Sequence, residues 1–235
     1  MIKIEYTDVY GWEAAIRGMR NPMNSWDKSD SNFDMWIGDG YKIGEADLKL
    51  MQNLAKAGSD HSKYLRMINV TCDITAPLYW WKEFETYRAG VTPLPMDIEM
   101  NSCSTMHKIH DKKFTLDDFS NEHLLDDGIN AEYDLDGCGG IICLNGTSAY
   151  TILVDTVAVL NAYREMYLET KDKRYWWQMI QLLPSSYNQR RTVQLNYAVL
   201  KNMYHARKNH KLDEWREFCK WCETLPYFKE VCIQE

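Results

Sequence analysis

The chain has 235 residues, of which 45% are apolar and 26% charged, enough to bury one sizeable core without a second domain. A formal charge of −7 and a pI near 5.4 give no cationic field to hold a phosphate backbone by counterion release, which excludes nucleic acid binding as the main task. No stretch approaches the roughly 20 apolar residues of a membrane span, and the opening MIKIEYTDVYGW lacks the layout of a signal peptide, so the cytoplasm is the expected location.

In chain order, MIKIEYTDVY reads as a strand leading into a helix at GWEAAIRGMR, which Asn21-Pro22 should end. The Ser-, Asp- and Gly-rich run NSWDKSDSNFDMWIGDGYKIG reads as a long surface loop. A helix follows over 45–57, capped by Gly58, with Leu48, Met51, Leu54 and Ala55 on one face. KYLRMINVTCDI alternates from Tyr64 through Ile68, Val70, Cys72 and Ile74 as a half-buried strand. After Ala76-Pro77, a helix is expected over LYWWKEFETYRAG, with Leu78, Trp81, Phe84 and Tyr87 at helical spacing. VTPLPMDIEM reads as a loop, TLDDFSNEHL as a short helix started by Thr115, and residues 126–147 as irregular or a hairpin. From Thr151 the chain reads as helical almost to its end, including TVQLNYAVLKNMYHARKN as one helix.

Seven scattered cysteines, an odd number, do not resemble a secreted disulfide framework and are expected as thiols. Cys219 and Cys222 form a C-x-x-C without a second pair at zinc-ribbon spacing, so no metal is expected there. Familiar phosphate-loop, dinucleotide, metalloprotease and nucleophile-elbow motifs are absent. His107 and His110, beside Lys108 and Lys112, read as a solvated loop before a phosphate contact. Nine tryptophans and fifteen tyrosines offer stacking surfaces, though aromatics at helical spacing more often form core or interface. Asn196 and Arg207 stand eleven residues apart, about three helical turns, and so project from nearly one face. Together they offer an amide and a guanidinium fork to one ligand. From spacing alone the simpler reading is an exposed Asn196 and an Arg207 that caps the helix C-terminus.

The segment LPSSYNQRRTVQLNYAVLKNMYHARKN resembles the C-terminal signature of the flavin-dependent thymidylate synthases, with Leu183, Pro184, Asn196, Leu200, Asn202 and Arg207 matched without a gap. A second stretch, from His61 through DITAPLYWWKEFETYRAG to NSCSTMHK, is similar to that family's region around its Arg-His-Arg signature, with His61, Ala76, Pro77 and Arg88 in register. GWEAAIRGMRNPMNSW is loosely similar to the family's N-terminal helix. Departures fall on the nucleotide side. Thr86-Tyr87-Arg88 stands at Arg-His-Arg, followed by the longer loop VTPLPMDIEM, and Glu83, Ser102, Met106, Ile180 and Ala198 replace the family's glutamine, glutamate and arginines. Removing one charge-assisted hydrogen bond from a nucleotide site costs about 1.5–3 kcal/mol, so three or four such changes abolish micromolar binding unless other residues compensate.

The resemblance implies an α+β fold, a twisted antiparallel sheet packed against long helices with a helical C-terminal half, forming a single domain over residues 1–235. It implies a homotetramer with active sites between subunits, and FAD that takes a hydride from NADPH and relays a one-carbon unit from methylenetetrahydrofolate to C5 of dUMP, giving dTMP. Carried over position by position, His61, Arg88, Asn196 and Asn202 are the expected flavin contacts, with Tyr87 in place of a family histidine. Arg207 is the expected catalytic residue, binding the pyrimidine carbonyl and stabilising charge on the ring, while Ser102 and Ser104 help to place the nucleotide. The alternatives are a flavin enzyme of this fold acting on a different pyrimidine nucleotide, and a non-catalytic oligomeric binding protein that kept the fold.

Overall fold

The computed structural model of the chain describes residues 2–33, 41–88, 98–134 and 141–233. The chain divides into two compact units, one comprising Ala76–Tyr79 and Cys103–Gln189, the other Ile2–Thr75, Trp80–Ser102 and Arg190–Glu235. The architecture is α+β with an antiparallel sheet, as expected. Among the described residues no helix is long and apolar enough to cross a membrane.

The second unit holds a four-stranded sheet in the order β1 (Lys3–Tyr10), β2 (Asn69–Pro77), β6 (Asn188–Asn196), β3 (Ile98–Ser102). β1 pairs antiparallel with β2, and β3 with β6. Alternation sets the faces: Val70, Cys72 and Ile74 of β2 and Val193 and Leu195 of β6 are buried, while Asp73 and Thr192 stand on the other side. There Thr192 Oγ1 donates to Asp73 at 2.6 Å, and Arg190 pairs with the same carboxylate. The helices α1 (Trp12–Arg20), α2 (Glu45–Lys56), α6 (Tyr197–Arg207), α7 (Asp213–Cys222) and α8 (Phe228–Cys232) add Ile16, Met51, Leu200, Phe218 and Phe228 to the core. Gly11 opens α1 at φ +95°, where a Cβ would stand 2.1 Å from the Met67 carbonyl oxygen, so only glycine fits.

A buried ion pair ties residues 25–31 to α1 and α2. Arg20 Nε donates to Asp47 at 2.6 Å, and both side chains are almost wholly buried. The other Asp47 oxygen accepts from the Ser29 and Ser31 hydroxyls and from the backbone N–H groups of Asp30 and Ser31. Arg20 also donates to the carbonyls of Ser25 and Lys28. Asp30 in turn accepts from the backbone N–H of Ala46 and Asp47, capping α2 from outside its own sequence. Every member is satisfied, which is the condition under which a buried ion pair is tolerated.

The first unit is organised by α4 (Ala149–Thr170) and α5 (Lys173–Leu182), which enclose Ile109, Phe114, Phe119, Leu153, Val157, Leu160 and Met179. The Asn161 side chain holds the Phe114 backbone at both ends, accepting from its N–H and donating to its carbonyl, each at 2.9 Å. β4 (Ile129–Asp134) and β5 (Ile141–Thr147) pair antiparallel, which selects the second of the two readings of the Asp- and Gly-rich run, irregular or hairpin.

Several expected elements differ. Residues 192–196, read as helix, belong to β6, because Thr192, Val193, Gln194 and Leu195 alternate out and in at the strand period. Ile98–Ser102, at the end of the expected loop VTPLPMDIEM, is β3, while residues 91–97 lie outside those described. Tyr64 sits not in a strand but in a 3₁₀ turn, Lys63–Met67, where its hydroxyl donates to the Met51 carbonyl at 2.7 Å. The helix expected from Thr115 shrinks to a three-residue turn, Leu116–Asp118, closed by a Thr115–Asp118 capping box. The long loop before α2 is not wholly a surface loop, since Ser25 and Ile43 are buried.

The buried polar and thiol groups have measurable consequences. Burial alone would raise the Asp47 carboxyl, but donation from Ser31, Ser29 and Arg20 outweighs it and holds the group below its ordinary value. A depressed folded pKa contributes stability above the unfolded value and loses it as pH falls through the folded one, here below about pH 4. Asp47→Asn, which leaves Arg20 buried and unpaired, should lower stability in urea unfolding by about 3–5 kcal/mol and flatten the acid-side decline; a drop under about 1 kcal/mol would contradict the network's role. Burial pushes the Cys72 and Cys232 thiols up to about 12 and Cys219 up to about 11, and raises Cys222 well above its ordinary value, whereas Cys103 is exposed. A thiol reagent followed by peptide mapping should modify Cys103 in the native protein and reach those four only after denaturation; rapid native labelling of Cys219 or Cys222 would oppose this reading.

Candidate functional site

The site is placed by aromatic packing between α3 (Leu78–Phe84) and α7. Trp80, Trp81 and Phe84 are fully buried, as are Trp215 and Phe218. Trp80 meets Trp215 at a centroid distance of 4.8 Å, Phe84 stacks on Trp215 at 6.3 Å and 11°, and Trp215 meets Phe218 edge-on at 5.6 Å. With that face of α3 buried, Glu83 and, in the 3₁₀ turn Glu85–Arg88, Tyr87 are left half-buried at the margin. Arg191 extends the cluster: its guanidinium lies 4.4 Å from the Trp81 ring centre and pairs with Glu85.

Arg207, the last residue of α6, reaches into this margin. Its Nε donates to the Tyr87 hydroxyl at 2.7 Å, and its Nη1 lies 2.6 Å from Glu83 Oε1. The guanidinium sits over the rings of both Tyr87 and Trp215, 5.3 and 5.1 Å from their centres. Glu83 is itself pinned, since the buried Trp215 Nε1–H donates to its Oε2 at 2.6 Å and His210 Nε2 stands 3.5 Å from its Oε1. The side chains of Glu83 and Arg207 remain 27% and 19% exposed, so the pair is partly accessible to solvent. Burial raises the Tyr87 hydroxyl above its ordinary value although Arg207 pulls it down, so it stays protonated at neutral pH and keeps a proton to donate. The cluster therefore presents fixed donors from Arg207 and Tyr87 beside the acceptor Glu83.

Two cavities lie in the same unit. One, of about 190 Å³, is lined by Ser59, Ser62, Arg66, Lys201 and Asn202, a donor set suited to an anionic group. The other, of about 570 Å³, is lined by the apolar Met19, Met23, Leu54 and Met67 and by Asp60, His61 and Lys63, and is of a size that takes a small-molecule ring system. The segment from Gly58 to Tyr64 contributes to both; the carbonyl of Gly58, a residue at φ +104°, accepts from the N–H groups of His61 and Ser62.

The structure thus brings Tyr87 and Arg207 into contact and places His61 and Asn202 in neighbouring cavities. Asn196 is neither exposed nor inside a helix: it is buried at the N-cap of α6, its Oδ1 accepting from Val199 N–H at 3.1 Å. Ser102 ends β3 as an exposed residue, and Ser104, in the other unit, accepts from the N–H groups of Met106 and His107. The side chain of Arg88 lies outside what is described. His110 packs edge-on against Tyr167, and its carbonyl accepts from Arg164, so the His107–His110 segment is tied to α4. Trp215, His210, Arg66 and Lys201 escaped the sequence reading as site residues, and Glu83 entered it only as a departure from the family's glutamine. Glu83 and Tyr87 do stand four apart, one helical turn, which is the signal that could have joined them. Among the described residues no group of three His, Cys, Asp or Glu could hold a metal ion.

No protein-family model and no curated protein sequence matches the chain. Solved structures do. The chain is similar to the flavin-dependent thymidylate synthase ThyX from Helicobacter pylori complexed with FAD and dUMP, at 16% identity and TM-score 0.63 over 98% of this chain and 97% of that one. A second structure of the Helicobacter enzyme with FAD and dUMP gives TM-score 0.64 at 16% identity over 99% and 97%. The UMP/dUMP methylase PolB from Streptomyces cacaoi bound with 5-Br dUMP gives 0.58 at 15% identity over 98% and 94%. The likeness runs nearly end to end in each pair, and the chain has the α+β fold of the flavin-dependent thymidylate synthases.

Proposed function

We propose that the chain is a flavin enzyme that modifies a pyrimidine nucleotide at C5, with methylation of dUMP to dTMP, using FAD, NADPH and methylenetetrahydrofolate, as the first reading. The observation that carries it is Arg207: a partly exposed guanidinium held by Tyr87, Glu83 and two aromatic rings. Solved proteins of the same fold hold FAD and dUMP or 5-Br dUMP, which supports the ligand class. When bound, the flavin supplies the redox and one-carbon chemistry, so the protein needs no nucleophile of its own. The task of these residues is position and charge.

Arg207 donates to a ring carbonyl and stabilises negative charge that develops there. His61, Tyr87, Arg88, Asn196 and Asn202 are the proposed flavin contacts, Asn196 from the N-cap of α6. The cationic cavity beside Asn202 suits the phosphates of the cofactor, and the methionine-lined cavity at His61 suits a flat ring. Ser102 and Ser104 place the nucleotide. Residues 1–235 work as one domain, in a homotetramer: Ile152, Val159 and Met166, exposed along α4 at seven-residue spacing, form an apolar stripe of the kind another subunit covers. A second reading, a different pyrimidine nucleotide, is favoured by the carboxylate of Glu83 beside Arg207.

The purified protein should show a flavin band near 450 nm once FAD is added, and dUMP should shift it. Arg207→Ala should retain the band and weaken nucleotide binding by about 10- to 150-fold, the equivalent of one charge-assisted hydrogen bond of about 1.5–3 kcal/mol. A flavin band indifferent to every pyrimidine nucleotide would contradict the substrate class. A protein that takes up no flavin would leave a non-catalytic binding protein.

A further inference from the structure

We propose that Glu83 is a specificity-determining residue that selects a pyrimidine ring carrying an exocyclic amino group, as in cytosine, over one carrying two carbonyls, as in uracil. The inference rests on the reading that Arg207 binds the pyrimidine ring, and it takes the second substrate reading, a pyrimidine nucleotide other than dUMP, in place of the first. Nε of Arg207 is taken by Tyr87 and Nη1 by Glu83, while Nη2 has no hydrogen-bond partner among the described residues. Arg207 can only donate and the Glu83 carboxylate can only accept. A ring edge held by Arg207 therefore meets donors on the guanidinium side and, next to them, a carboxylate oxygen.

Glu83 is not free to leave when a ligand arrives. Its Oε2 takes the indole N–H of Trp215, which is fully buried, so a departing carboxylate would strand that donor. Arg207 and His210 draw on its Oε1 as well. The ligand must then fit an acceptor-beside-donors array as it stands. The edge of a 4-aminopyrimidine carries a donor, its amino group, beside two acceptors, the ring nitrogen and the 2-carbonyl, and matches the array at each place. In the same register uracil sets its 4-carbonyl against the carboxylate and its ring N–H against the guanidinium. Shifting uracil by one atom restores the N–H to Glu83 hydrogen bond but leaves one guanidinium donor without an acceptor. Specificity arises here as much from the repulsive pairing as from the attractive one.

The test is equilibrium titration of the flavin-loaded full-length protein with dCMP, dUMP and N4,N4-dimethyl-dCMP, repeated for Glu83→Gln. The amide of glutamine keeps the size and can still accept from Trp215 while offering a donor. The wild type should bind dCMP at least tenfold tighter than dUMP and weaken at least tenfold with the dimethylated ring, and Glu83→Gln should erase the preference. Wild-type protein that binds dUMP as tightly as dCMP, or tolerates the dimethylated ring, overturns the proposal and leaves the nucleotide site standing. The wild-type series decides the matter even should the variant fail to fold. A folded Glu83→Gln with an unchanged dCMP-to-dUMP ratio also overturns it. Wild-type protein that binds flavin and none of the three nucleotides overturns the reading of Arg207 itself, and this inference with it.

Discussion

Trp215 is fully buried among Trp80, Phe84 and Phe218, and an acceptor for its indole N–H offsets the cost of burying that donor. Glu83 supplies it at 2.6 Å, and in doing so a carboxylate is fixed at the edge of the aromatic core. That charge then fixes Arg207, and Arg207 in turn takes the Tyr87 hydroxyl. The polar groups of the cluster are linked in one chain that starts at this buried donor. The energetic scale of the surrounding aromatic burial, about 1.5–3 kcal/mol per large side chain, exceeds that of a typical single hydrogen bond, so packing sets the geometry and the polar groups inherit it.

This arrangement separates two tasks. In the proposed assignment the flavin ring and phosphates fall to the pair of cavities along the Gly58–Tyr64 segment, with His61 in one and Asn202, Arg66 and Lys201 in the other. Choice of the ring asks for an oriented donor and acceptor, which the Arg207–Glu83 pair offers. A lone guanidinium would favour any anion. Half-neutralised by Glu83 and stacked on two rings, Arg207 is better suited to a neutral hydrogen-bonding edge than to a free phosphate. Of the residues changed relative to the flavin-dependent thymidylate synthases, Glu83 stands beside Arg207 and Ala198 lines the smaller cavity.

Much of the fold is legible in the sequence because its signals are local. Asn21-Pro22 ends α1 and Gly58 follows the end of α2, as punctuation predicts, and the aromatic spacing of Leu78–Phe84 gives α3. β6 hides because it runs into α6 with no turn residue between them; a strand of alternating Thr192, Val193, Gln194 and Leu195 abuts a helical pattern and borrows its period. Nothing near Asp47 or Glu83 in sequence announces Arg20 or Arg207 as the partner of either. Tyr87 and Arg207 are 120 residues apart, and their meeting depends on tertiary packing that no periodicity encodes. The family resemblance located both without showing that Glu83 pairs with Arg207 beside them.

The most direct measurement is a crystal structure of the full-length protein with FAD and a pyrimidine nucleotide bound. The ring edge should lie against Arg207, with Glu83 still holding the Trp215 indole and the flavin against His61 and Asn202. A nucleotide bound elsewhere, with the Arg207–Glu83 pair untouched, would contradict the assignment of this cluster as the ring-binding site.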